Sequence, residues 1–209
     1  MPAFLQRLHK LSGNGGILMT QKRWFPAAVL LLLFTVLVSG CGKAQPKADV
    51  SIFMMARDGI PVDAAFKLEN SLKALVGDKP SIYLNTSPLF SNEKMIVEMG
   101  YGNHGILIIP EEQFKIYAAE GAFLPLEEHF KQEDYPEGVL EATIEPAGKK
   151  KNPPEAPKKE THLYGIPLQY SKWMKDNGVE GKGLVAFMAV NSRNPEQSFE
   201  VLKKIAAKS

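Results

Sequence analysis

The residues best placed to do chemistry are few. Gly100, Gly102 and Gly105 in "GYGNHGILIIP" have the G-x-G-x-x-G spacing that cradles a dinucleotide pyrophosphate. Such a loop leaves a strand and opens a helix, so that the phosphates meet free N–H groups at the helix N-terminus. Here a helical pattern ends at the glycines and an apolar strand begins after them, so they are read as a helix stop and a turn. "VEGKG" (Val179–Gly183) has the Gly-Lys of a phosphate loop without the Ser/Thr that should follow, and no G-x-S-x-G occurs. His104, His129 and His162 are widely separated and lack paired-ligand spacing, so each is expected as a surface or turn histidine and no metal site is expected. Glu111-Glu112 and Glu127-Glu128 are adjacent acids that would point about 100° apart on a helix, which suits helix starts rather than an acid/base pair. No catalytic constellation and no cofactor site emerges, and the expectation is a protein that is not an enzyme.

Cys41 is the one cysteine of the chain, so no internal disulfide is available. Its surroundings give it a different role. Arg7, Lys10, Lys22 and Arg23 precede "AAVLLLLFTVLV" (Ala27–Val38), and no acid occurs before Asp49. That apolar run is shorter than the roughly 20 residues a bilayer span needs, which makes residues 1–40 a signal peptide. Met19 is an alternative start, since Met19–Cys41 is a compact signal by itself. Val38-Ser39-Gly40-Cys41 resembles the lipobox of bacterial lipoproteins. The resemblance implies a diacylglyceryl-modified Cys41 as the first mature residue, a lipid anchor in the cell membrane and an extracytoplasmic domain. Gly42 is not the Asp associated with inner-membrane retention, so a Gram-positive outer leaflet is favoured. Residues 41–49 form the lipidated tether.

The elements that would position a site follow from Val50 onward. "VSIFMM" (Val50–Met55), "SIYL" (Ser81–Leu84) and "GILII" (Gly105–Ile109) read as buried strands. Between them lie helical patterns. Ile60–Val76 carries an inward stripe of Ala65, Leu68, Leu72 and Leu75. Ser91–Met99 has Ser91 as N-cap and Met95, Ile96 and Met99 inward, and Glu111–Glu120 ends at Gly121. This β-α alternation predicts an α/β fold, a single three-layer αβα domain with a mostly parallel sheet over 50–209. Glu145–Glu160 is rich in Pro, Lys and Glu and is expected as an exposed loop. "HLYGIPL" (His162–Leu168) and "LVAFMAV" (Leu184–Val190) return as extended segments. A final helix starts at Asn194-Pro195, with Asn194 as N-cap and Gln197 three residues on, burying Phe199, Leu202 and Ile205.

In open α/β sheets ligands bind beyond the carboxyl ends of the strands. Those ends offer Arg57, Asp58, Asn85, Ser87, Gln169 and Tyr170, with Trp173 shortly after, as a polar rim with aromatic stacking. The alternative for these residues is ordinary turn chemistry. The formal charge falls from +2 to −2 once the four leader cations are removed, so nothing suggests a nucleic-acid partner.

Asn92–Glu128, "YGIPL" (Tyr164–Leu168) and "LVAFMAVNSRNPEQSFEVLKKI" (Leu184–Ile205) together resemble segments of the extracellular solute-binding proteins of ABC transporters. His104 stands where that family often has Asp. The resemblance implies one lobe of that architecture, because only Gln169–Gly183 lies where a second lobe would be inserted. It also implies a module that presents or senses a small solute for a membrane partner. The alternative is a structural or interaction lipoprotein that binds another envelope protein without a small ligand. An envelope hydrolase would need a catalytic constellation that the sequence does not display.

Overall fold

In the computed structural model, residues 47–145 and 156–208 are described. The expected signal peptide, Cys41, most of the expected tether and residues 146–155 of the Pro/Lys-rich segment lie outside them. The fold is mixed α/β, built on a mostly parallel five-stranded sheet. β1 (Val50–Met55), β2 (Ile82–Ser87) and β3 (Ile106–Pro110) are parallel, with β1 in the middle. β6 (Gly165–Pro167) and β7 (Leu184–Phe187) complete the order β2-β1-β3-β7-β6, and β7 runs antiparallel to both its neighbours. β4 (Val139–Ile144) and β5 (Lys158–Leu163) form a separate antiparallel pair.

The helices are α1 (Val62–Val76), α2 (Asn92–Tyr101), α3 (Glu111–Ala118), α4 (Lys172–Asp176) and α5 (Pro195–Ala206). β1 explains why two cores exist. Its alternate side chains feed opposite faces: Val50, Ile52 and Met54 join Leu68 and Leu72 of α1 and Leu202 and Ile205 of α5. Phe53 and Met55 join Met95 of α2 and Phe114 of α3. A strand apolar at every position but Ser51 is what burial on both faces demands. Each fully buried Leu, Ile or Phe among them contributes about 1.5–3 kcal/mol.

The helix ends follow local chemistry in part. Ser91 caps α2, its hydroxyl accepting from the Lys94 amide at 3.1 Å. Asn194 departs from expectation. It takes a left-handed conformation (φ 48°), and its side-chain amide donates to the Asp49 carbonyl at 2.7 Å instead of capping α5. Leu75 and Ile96, expected inward, are about half exposed. The charged run Lys158–Glu160, expected in a loop, belongs to β5, because its backbone pairs with β4 while its side chains stay in solvent. The strand expected to run to Val190 ends at Phe187, and the chain beyond it pairs briefly with Phe123. Among the described residues no helix is long and apolar enough to cross a membrane.

Candidate functional site

The loops leaving β1 and β3 diverge. After β1 the chain turns to α1, which packs in the core containing Ile52, whereas after β3 it passes directly into α3, which packs in the core containing Phe53. Adjacent parallel strands whose connections part to opposite faces leave a crevice between them, the topological switch point of an open sheet. A crevice of about 450 Å³ lies there. Its walls are Ala56-Arg57-Asp58-Gly59 after β1, Pro110-Glu111-Glu112 at the start of α3, and Val179, Glu180 and Lys182 from the loop before β7. The Glu111 amide donates to the Gly183 carbonyl at 2.9 Å, which pins that loop to the helix start.

Charge of both signs meets in this crevice. Arg57 forms an ion pair with Glu112 from across it and lies over the Phe90 ring, 5.7 Å from the centroid. Glu111 pairs with Lys115 one turn along α3, at 2.5 Å. A second recess of about 430 Å³, lined by Leu168, Gln169, Ser171 and Lys175, shares Val179, Glu180 and Lys182 with the first, so the two are contiguous.

Arg57 and Asp58 therefore line one crevice, and Gln169 borders the neighbouring recess, donating to Glu137 at 3.2 Å. The other expected residues lie elsewhere. Ser87 is buried, with its hydroxyl turned back to the Leu89 carbonyl at 2.7 Å, which is turn chemistry. Asn85 is half-buried on β2, and Tyr170 is exposed outside both recesses. Trp173 is not a rim aromatic. It is 1% exposed, and its indole N–H donates to the Leu68 carbonyl at 3.0 Å and to Ser71 Oγ at 3.1 Å. Glu112, Glu180 and Lys182 were not foreseen as lining residues. Glu180 and Lys182 sit in a Gly-rich turn whose approach to β1 is not encoded locally.

His104 differs from expectation, whereas His129 is an exposed turn residue as expected. His104 is buried (3% exposed), with Nδ1 2.9 Å from Ser51 Oγ and Nε2 2.7 Å from Glu98 Oε2. Burial holds its pKa below the ordinary imidazole value, opposed by the hydrogen bond and charge of Glu98. His129 packs on Phe199 at 3.9 Å between ring centroids. His162 lies between two carboxylates, Nε2 3.2 Å from Glu160 and Nδ1 2.9 Å from Glu127. The Glu160 hydrogen bond, and then Glu127, raise its pKa. Glu127 also accepts from the Leu163 amide at 2.8 Å and from Gln132 at 3.0 Å, tying β5 to the body.

The two shifts have opposite consequences. His104 binds fewer protons folded than unfolded, so its contribution is present above the unfolded pKa near 6.5 and is lost as pH falls towards the folded one. His162 binds more protons folded, so its contribution is present below about pH 6.5 and is lost as pH rises through its folded pKa. His162→Gln should therefore lower the melting temperature more at about pH 6 than at about pH 8.5. An equal loss at both values would show that the two carboxylates do not stabilise the imidazolium.

Among the described residues, no group of three or more His, Cys, Asp or Glu side chains is placed to hold a metal ion. Comparison with models of known protein families, with curated proteins and with solved structures finds no match for this chain.

Proposed function

We propose that the chain is a lipoprotein anchored through Cys41 on the extracytoplasmic face of a bacterial cell membrane. Its domain is a single three-layer αβα unit like one lobe of a solute-binding protein, and it presents or senses a small solute for a membrane partner. The observation that carries this reading is the crevice at the β1/β3 switch point, bounded by Arg57, Asp58, Glu111 and Glu112. The antiparallel β7 between β3 and β6 supports it, since the resemblance expects a returning strand at Leu184. A single lobe cannot enclose a ligand, so the site is an open one that a partner would complete.

The full chain, recovered from membranes and carrying a fatty-acid label that Cys41→Ala abolishes, is the material for the test. It is to be melted against sugars, amino acids, peptides and metal ions. A ligand at about a hundred times its dissociation constant stabilises by about 2.7 kcal/mol, a shift of several degrees for a domain of this size. That shift should vanish in Arg57→Ala. A flat response from a cooperatively folded sample would favour the second reading, a protein-binding lipoprotein. One observation supports that alternative: Val62, Phe66 and Leu89, at the start of α1 and in the β2–α2 loop, are 81%, 66% and 76% exposed.

A further inference from the structure

At the opposite end of the sheet from the crevice, Ser51 meets two side chains far from it in sequence, and the three lie in a line. Ser51 at the start of β1 contacts His104 just before β3, and His104 contacts Glu98 on α2. The ring is locked. It stacks on Phe53 with centroids 5.5 Å apart, and a side chain at Gly102 would overlap its Cδ2 and Nε2 atoms. An ionised Glu98 can only accept, so Nε2 carries the proton and Nδ1 keeps its lone pair. The Ser51 hydroxyl then donates to Nδ1. A hydroxyl aimed at a neutral imidazole, itself oriented by a carboxylate, is the arrangement that activates a serine nucleophile. Ser51 is partly exposed, while the His104 ring is buried.

The geometry points to Ser51 as a nucleophile that accepts acyl groups from small activated esters or thioesters, with His104 as general base and Glu98 as a positioning residue. The Ser51 oxygen attacks the acyl carbonyl carbon, and its proton passes to His104 Nδ1. The carbon–oxygen or carbon–sulfur bond then breaks, its electron pair leaves with the alcohol or thiol, and that group takes the proton from Nδ1. Acyl-Ser51 and the free alcohol or thiol remain. This inference is independent of the crevice and of any solute bound there.

A fluorophosphonate probe tests it on the full chain. The serine oxygen–phosphorus bond forms, the phosphorus–fluorine bond breaks, and fluoride leaves with the displaced proton. One label per chain is expected, mapped by peptide mass to Ser51 and absent in Ser51→Ala. Loss of the base in His104→Gln should slow labelling by about a hundredfold. That variant removes a buried ring and risks misfolding, so Glu98→Gln provides the second arm, with folding checked by melting. It should label more slowly, and the acid limb of its pH profile should move to lower pH, because the Glu98 charge raises the basicity of His104. Labelling at other serines, no labelling of a folded chain, or a Glu98→Gln rate and pH profile identical to wild type would each overturn the assignment. The three residues would then be a helix-to-sheet tie.

Discussion

Trp173→Ala is expected to destabilise the domain by about 3–5 kcal/mol, roughly 10 °C in melting temperature. The largest of the fully buried side chains sits on α4, a helix of five residues that cannot hold itself together. What fixes it is the contact with α1. The indole N–H bonds the Leu68 carbonyl and Ser71 Oγ, and the Asn177 side-chain amide donates to Ser71 Oγ and to the Trp173 carbonyl, both at 2.8 Å. Truncation would empty the indole's volume and strip Ser71 of one partner at once. Trp173→Phe keeps much of the apolar burial and should recover most of the loss, leaving about 1 kcal/mol for the missing hydrogen bonds. Urea or thermal unfolding measures both. A Trp173→Ala melting point within a couple of degrees of wild type would mean that α4 is not anchored through this side chain.

Gly59→Ala should be nearly as damaging, for a different reason. Gly59 has φ +74°, a region that costs an L-residue about 1–2 kcal/mol. Its missing side chain also leaves room for the Pro88 carbonyl, which a methyl group would overlap. Both atoms belong to backbone, so neither can rotate away, and the loops after β1 and β2 would have to separate. Overpacking of this kind adds about 1–3 kcal/mol. Gly77 is a control for strain without a contact: its φ is +85° with ψ −158°, a region essentially confined to glycine, and no described residue stands within 4 Å of the added methyl. Gly77→Ala should show a conformational cost alone. A Gly59→Ala loss of only about 1–2 kcal/mol, the cost of a left-handed conformation, would show that the loops yield freely. Because Arg57 and Asp58 ride on the same loop, Gly59→Ala should also abolish any ligand-induced stabilisation while Gly77→Ala leaves it intact.

Local sequence carried the parts of this fold that depend on local chemistry. The run Val50–Met55, apolar but for Ser51, marks a strand covered on both faces, and Ser91 caps the helix it precedes. Gly100–Gly105 closes a helix and leads into a strand, so its glycines have no helix N-terminus to serve. Arg57 and Asp58 could be expected beside a crevice because strand ends are where such sheets leave room. What stayed hidden required contacts across the chain. Lys158–Glu160 looks like a solvated linker because its side chains are solvated, and only pairing with Ala142–Ile144 makes it a strand. Trp173 looked like a rim aromatic because nothing near it announces the helix that covers it. Ser51, Glu98 and His104 form no motif, since their meeting depends on two strands standing side by side with the intervening helix laid across them.

The place of β7 in the sheet bears on how the chain can fold as it emerges. β1, β2 and β3 are complete by Pro110, yet β3 keeps one edge open until Leu184–Phe187 arrives, and among the described residues β6 has no sheet neighbour other than that same strand. α5, which closes the core over β1, is made later still. A nascent chain lacking its last twenty-odd residues is therefore not a smaller stable domain but an unsealed sheet with a row of unpaired backbone groups. The sheet therefore depends on pairing between segments as far apart as Leu107 and Phe187, the kind of non-local closure that is slow to form.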